Sequence, residues 1–269
     1  RASRMLEDAG ADLVVWSETA YPFEVGRDAT ADIARDHPLS IRGATTGPLL
    51  VGAVTADARD HWNSAILVAP DGRFLGRTDK IHRMIGSEYN PLVERFPSLA
   101  RYLPDGAGHY AGGAAPGVLT VDVDGAPVRL AVMVCLEDVV PSHGRELAAL
   151  DPDLIVNLTN DTWFDIHAEP LQHEALARFR AVELGVPMVR AVNTGPSALI
   201  DATGAIVART GTTRGGPPTT IMATLTIGRR ARTLYAAAGG VLTWGAALAA
   251  IAWWLGPGLV ARARRRRAA

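Results

Sequence analysis

At 269 residues and 48% hydrophobic side chains, the chain is long enough for one large α/β domain with a substantial core. A formal net charge of −1 gives no argument for nucleic-acid binding, and no nucleic-acid partner is expected. The single cysteine, Cys135, excludes an internal disulfide and a multi-cysteine metal cluster.

Residue 1 is Arg and no secretory signal follows. Residues 5–9 read as the end of a helix closed by Gly10, so a fragment of a longer protein is expected. Residues 12–16 read as a short buried strand with Glu18 at its C-terminal tip, and Tyr21-Pro22 as a turn. Residues 29–35 read as helix, and 48–54 and 64–69 as strands. Asp71-Gly72 is a hairpin turn leading into Phe74-Leu75-Gly76. Lys80 comes next. Of 27 Lys plus Arg side chains it alone is lysine, a compact cation whose pKa can be tuned as a guanidinium's cannot. It heads a long irregular stretch, rich in Gly and Pro, that runs to about Gly117 and holds Glu88 and Tyr89. A loop of that length is usually a lid or a binding arm.

Residues 118–123 and 128–134 read as a hairpin around Asp124-Gly125. The second strand ends at Cys135, followed by Leu136, Glu137 and Asp138, and Pro141 opens a helix to 150. Cys135 therefore sits where a strand turns sharply toward a helix, the place where open α/β sheets bind ligands. Backbone N–H groups there can stabilise a thiolate or an oxyanion. A lone cysteine in an apolar run is more often a small core residue, so the assignment rests on its companions. Next come a strand at 154–158, a loop at 159–164 carrying Trp163 and Phe164, and a helix at 169–184 stopped by Gly185. Strands at 186–192, 197–200, 206–207 and 220–225 complete a mixed sheet faced by helices.

Residues 235–255 carry no charge and include Trp244, Trp253 and Trp254, enough to cross a bilayer as one helix. Arg229, Arg230 and Arg232 precede it; Arg262 and Arg264 to Arg267 follow. The positive-inside rule puts the more basic C-terminus in the cytoplasm and the preceding domain outside. The division expected is a catalytic domain at 1–228, a transmembrane helix at 235–255 and a basic tail at 256–269.

Glu18, Lys80 and Cys135 each end a strand or open a loop beside one, so neighbouring strands would bring them to one rim. The carboxylate can take the thiol proton, the ammonium can stabilise the thiolate and a tetrahedral oxyanion, and the thiolate is the nucleophile. Here the chain resembles the nitrilase, or carbon–nitrogen hydrolase, superfamily with its Glu–Lys–Cys triad. Trp16-Ser17-Glu18-Thr19-Ala20-Tyr21-Pro22, Gly86-Ser87-Glu88-Tyr89-Asn90-Pro91-Leu92 and Cys135-Leu136-Glu137 resemble blocks of the apolipoprotein N-acyltransferase family. Asn160-Asp161-Thr162-Trp163-Phe164, Pro170-Leu171-Gln172-His173 and Arg180-Ala181-Val182-Glu183-Leu184-Gly185 do so too.

The resemblance implies a nitrilase-like α-β-β-α sandwich with mixed sheets, N-terminally incomplete, then one C-terminal transmembrane helix. It implies acyl transfer in the bacterial cytoplasmic (inner) membrane, without a cofactor. A phospholipid would be the acyl donor, Cys135 would carry the acyl chain as a thioester, and a diacylglyceryl lipoprotein would accept it. Glu88 and Glu137 would support the triad; Tyr89, Trp163 and Phe164 would shape the acyl site. The family usually has tyrosine after the nucleophile; here it is Leu136, whose backbone N–H can still serve an oxyanion hole. A membrane-tethered amidase with the same triad and a catalytically silent anchored domain are the competing readings. A metal site is weakly indicated, since His167 and His173 do not repeat on one helix face.

Overall fold

The apolar runs form two mixed β-sheets packed face to face. The structure, a computed structural model, describes residues 1–102, 110–163, 168–211, 219–228 and 233–267, with 256–267 as backbone alone. Helix α1 (Ala2–Asp8) ends at Gly10, whose φ of 93° is open to glycine. Strands β1 (Val14–Val15), β2 (Tyr21–Gly26), β3 (Leu49–Ala56), β4 (His61–Val68) and β5 (Phe74–Asp79) make the first sheet. β1 and β2 lie parallel along one edge of β3; β4 and β5 follow antiparallel on the other side.

Two expectations in this half are corrected. Tyr21-Pro22 does not turn but opens β2, and Pro22 is tolerated because it falls where the pairing slips between Tyr21 and Val25. Residues 29–35 are not helical. The Asp32 carboxylate accepts hydrogen bonds from the Ser40 hydroxyl and the Ile41 and Arg42 N–H groups, and these tertiary bonds outweigh local propensity.

The second half begins with helix α2 (Pro91–Arg95) inside the long irregular stretch, followed by β6 (Val118–Val123) and β7 (Ala126–Val134). Asp124 and Gly125, with φ of 52° and 78°, supply the two left-handed residues this tight hairpin needs. Helix α3 (Pro141–Ala148), β8 (Leu154–Thr159), helix α4 (Ala168–Leu184), β9 (Met188–Val192), β10 (Ala198–Ile200) and β11 (Ile206–Arg209) complete the sheet. Its order is β11-β10-β9-β8-β7-β6, parallel from β7 to β9 and antiparallel outside.

Alternation along β7 sorts its side chains between two layers. Leu130, Val132 and Val134 face the first sheet, meeting Leu50, Ala65 and Leu67 in the central core. Ala131 and Met133 face the other way, against Leu147 of α3 and Ala177, Ala181 and Leu184 of α4. The far face of the first sheet buries Val14, Leu49, Val51 and Ile66 beneath Ile41, with Leu6 of α1 packed alongside. The result is the α-β-β-α order, with an irregular segment doing most of the covering on one side.

Residues 220–225 alternate in burial but pair with no strand, contrary to expectation. Leu225 packs on the central core, and the segment walls a cavity of about 440 Å³ with Leu13, Val15 and Leu199. None of Glu18, Lys80 or Cys135 lines it.

Helix α5 (Leu234–Arg267) carries a 22-residue apolar span, Leu234–Leu255, long enough to cross a bilayer. Its first turn docks on α3, where Arg145 Nη1 donates to the Tyr235 hydroxyl and Ala236 is buried. Farther along, Leu242, Trp244, Leu248, Trp253 and Trp254 are exposed. The basic stretch expected as a tail continues the helix to Arg267.

Candidate functional site

Strand β7 delivers Cys135 at its C-terminal end, buried, with φ at 53°, and the chain passes at once into a 3₁₀ turn, Cys135–Val139. The Leu136 N–H favours the thiolate form, and Asn157 Nδ2 on β8 donates to the Cys135 carbonyl at 3.2 Å. Burial and the nearby Glu18 carboxylate push the thiol's pKa up; the Lys80 charge pulls against them.

Lys80 follows β5 and is 2% exposed. Its Nζ donates to Glu88 Oε1 at 2.8 Å and lies 3.5 Å from Glu18 Oε1. Burial pulls the ammonium's pKa down, but Glu18, Cys135 and Glu88 more than offset that, and Lys80 stays charged. Glu18 follows β1. Burial raises its pKa against the pull of Lys80 and Asn63. Oε1 accepts from Asn63 Nδ2 at 2.6 Å, whereas Oε2 is buried without a hydrogen-bond partner. A carboxylate with one oxygen anchored, one free and a raised pKa is equipped to take a proton.

Gly52 on β3 lets the Glu18 turn come this close. A Cβ there would lie 2.4 Å from the Ser17 carbonyl oxygen and 2.7 Å from Glu18 Cα, both backbone atoms. Gly52→Ala is therefore expected to lose about 3 kcal/mol of stability, as overpacked sites do, and to slow any reaction that needs Glu18. Urea unfolding checks the first effect and Cys135 modification the second.

Glu137 ties the two halves of the site. Its Oε2 accepts from the Val134 N–H at 2.8 Å, just before the cysteine. Oε1 accepts from the Ile81 and His82 N–H groups at 2.6 and 3.0 Å, just after the lysine. Glu88 reaches in from the long loop, with Oε2 accepting from the Met84 N–H at 2.7 Å. Tyr89 is half-buried beneath the Arg83 guanidinium, 4.3 Å from its ring centre. Trp163 ends a 3₁₀ turn, Asp161–Trp163, and is 71% exposed, so it does not pack in the core. Phe164 and His167 lie outside the described residues.

Sequence reasoning missed Asn63, whose Nδ2 donates to Glu18 and also to Glu88 Oε1 at 3.2 Å. It missed a buried ionic cluster behind the cysteine as well. His173 Nε2 is 2.9 Å from Asp138 Oδ1 and its Nδ1 is 3.0 Å from Asp161 Oδ1. Arg190 donates to Asp138 Oδ2, Asn157 Oδ1 and Asp161 Oδ2 at 3.1, 2.7 and 3.1 Å. Asp161 and His173 stood in the family-like blocks, but nothing in the sequence joined them to Asp138 and Arg190; an arginine inside the apolar run of β9 was a signal that could have done so.

Two buried histidines set opposite pH limits. Burial opposes the charge on His173, but hydrogen bonds to Asp138 and Asp161 raise its pKa from 6.5 to about 9. Arg190 and Glu169 are the other charged groups facing it. Its stabilisation is complete below pH 6.5 and is lost as pH rises through 9. His143, with no hydrogen bond on either ring nitrogen although Glu137 Oε2 lies 3.6 Å from Nε2, is lowered by burial and by His82 from 6.5 to about 4. It favours the folded state above pH 6.5, and that contribution is lost as pH falls through 4. The combined contribution of the two histidines is expected to peak near pH 6.5, with each limb on the order of 3 kcal/mol. Urea midpoints against pH test this, and His173→Gln should flatten the alkaline limb.

The sequence profile of the family described as "Carbon-nitrogen hydrolase" matches residues 1–235. An apolipoprotein N-acyltransferase of Geobacter metallireducens is 36% identical over 209 residues, 77% of this chain and 39% of that protein. One from Bradyrhizobium diazoefficiens is also 36% identical, covering 75% of this chain and 37% of its own. The chain thus spans under two fifths of the length of these curated relatives. Among solved structures, an amidase from Nesterenkonia sp. superposes with a TM-score of 0.57 at 19% identity, over 78% of this chain and 77% of its own. A carbon-nitrogen hydrolase from Helicobacter pylori G27 gives 0.55 at 16%, over 78% and 79%. These two likenesses concern the fold. With the profile covering nearly the whole globular part, the chain belongs to the carbon–nitrogen hydrolase family.

Proposed function

We propose that this chain is the catalytic part of an apolipoprotein N-acyltransferase of the bacterial cytoplasmic membrane, with Glu18, Lys80 and Cys135 as its triad. The observation that carries this reading is the union, in one chain, of a buried Lys80 held between Glu18 and Glu88 beside Cys135 with an exposed apolar helix long enough to span a bilayer. The names of the curated relatives support it.

In the first step Glu18 takes the thiol proton as the sulfur attacks an acyl ester carbon of a phospholipid. The Lys80 ammonium and the Leu136 N–H stabilise the tetrahedral oxyanion. When it collapses, the ester C–O bond breaks and the lysophospholipid oxygen takes the proton from Glu18, leaving a Cys135 thioester. In the second step the α-amino group of a diacylglyceryl-cysteine lipoprotein attacks the thioester carbon. An amide forms, the C–S bond breaks, and the amine's proton returns through Glu18 to the sulfur. Residues 1–228 form the catalytic domain, facing outward from the cytoplasm. Trp163 and Tyr89 shape the acyl site. Residues 234–255 cross the membrane.

The same triad would hydrolyse a small amide if water took the place of the amine. Paired assays of the full-length membrane protein separate the two: phospholipid plus a diacylglyceryl-cysteine peptide, against acetamide. N-acylated peptide without ammonia release is the expected result. Ammonia release without acylated peptide would replace the proposal with the amidase.

A further inference from the structure

We infer that His173 is a positioning residue: by bridging Asp138 and Asp161 it holds the Cys135 turn in the conformation from which the sulfur reacts. This rests on Cys135 being the nucleophile. Asp138, Asp161, His173 and Arg190 come from four separate elements, and each is at most 2% exposed. Charges so buried are tolerated only when paired; with His173 an imidazolium these four balance, two carboxylates against two cations, while burial and Asp161 push the neighbouring Glu169 carboxyl toward its neutral form. The imidazolium then donates from both nitrogens, Nε2 to Asp138 and Nδ1 to Asp161.

The cluster grips the cysteine turn at both ends. Asp138 lies on the turn itself, and the Cys135 carbonyl accepts from Asn157, whose Oδ1 in turn accepts from Arg190. Cys135 needs that grip, because a φ of 53° is strained for a residue with a Cβ and persists only where the surroundings over-determine it. The buried side of the cluster thus does for the sulfur what Glu137 does for the adjoining backbone. A neutral imidazole, or a glutamine, can donate to only one of the two carboxylates in the same geometry.

The test follows alkylation of Cys135 by iodoacetamide in the full-length protein, read on the Cys135 peptide by mass spectrometry. Wild type, His173→Gln and His173→Gln with Asp161→Asn are compared as folded, monodisperse protein. His173→Gln is expected to slow alkylation and phospholipid kcat about 100-fold with little change in KM, the loss typical of a misplaced reacting group. The double variant restores the buried charge balance and is expected to regain at least tenfold. A purely structural histidine would lower the melting temperature and leave both rates of the folded protein unchanged, and that outcome overturns the inference. If His173→Gln does not fold, the double variant, which keeps the charge balance but not the bridge, is expected to alkylate about tenfold more slowly than wild type, and a folded double variant that reaches the full wild-type rate overturns the inference equally. Wild-type Cys135 reacting no faster than an inert buried thiol would instead remove the nucleophile reading on which the inference stands.

Discussion

Replacing Lys80 with arginine is expected to leave Cys135 essentially unacylated, although the charge is kept. The ammonium is 2% exposed and fits between Glu88 Oε1 at 2.8 Å and Glu18 Oε1 at 3.5 Å. A guanidinium is wider, planar and bidentate. In this pocket it would pair fork-to-fork with one carboxylate, displace the other and move the donor away from the oxyanion. Losing one such donor costs about 10² to 10³ in rate, and disturbing the base adds to that. The Asn63 bridge between the two carboxylates would be disrupted in the same variant. Mass spectrometry of the acyl-enzyme after incubation with phospholipid reads the effect directly. An arginine variant that acylates at the wild-type rate would count against an oxyanion role for Lys80.

The second large effect concerns the nucleophile. Cys135→Ser is expected to bring acyl transfer below detection while leaving the fold intact, since the side chain keeps nearly its shape. The thiol already has its pKa pushed up by burial and by Glu18, so its proton must move to the carboxylate during the attack. A serine hydroxyl starts from a far higher pKa and is the weaker nucleophile, and Glu18 has no histidine between it and the attacking atom to help. Lys80, the cation that acts on it among the described residues, is already shared between two carboxylates. N-acylated peptide produced by the serine variant would move the chemistry away from Cys135.

Two of the three triad positions were legible because each follows an apolar run, and Lys80 because it is the one lysine in the chain. Val128 to Val134 read as a buried strand, which put Cys135 at its tip, and Glu18 followed from the shorter run before it. Edges were harder. Tyr21-Pro22 carries a turn signature, yet it opens an edge strand because β3 supplies a partner and the register slips at the proline. The helix expected at 29–35 failed because Asp32 found donors at residues 40–42, which no local window contains. Asn63 looked like an ordinary polar residue in a strand. Its role appears only when β1, β4 and the long loop put Glu18 and Glu88 on either side of its amide. The ionic cluster was hidden for the same reason: its members are spread from Asp138 to Arg190 and meet only in the folded sheet. His173 drew notice as half of a weak metal pair with His167, whereas in the structure it bridges two carboxylates.

The central claim is that Cys135 carries an acyl group destined for an amine and not for water. The acyl chain of the proposed intermediate is expected to rest on apolar surface near helix Leu234–Leu255, which is long and apolar enough to cross a bilayer, so water should be scarce and the thioester should persist. The most direct measurement incubates the full-length membrane protein with phospholipid labelled in its acyl chain and follows label on the Cys135 peptide over time. The account predicts label that stays on Cys135 when no acceptor is present and moves to a diacylglyceryl-cysteine peptide once it is added. Label that turns over to free fatty acid as fast without the peptide as with it would contradict the account.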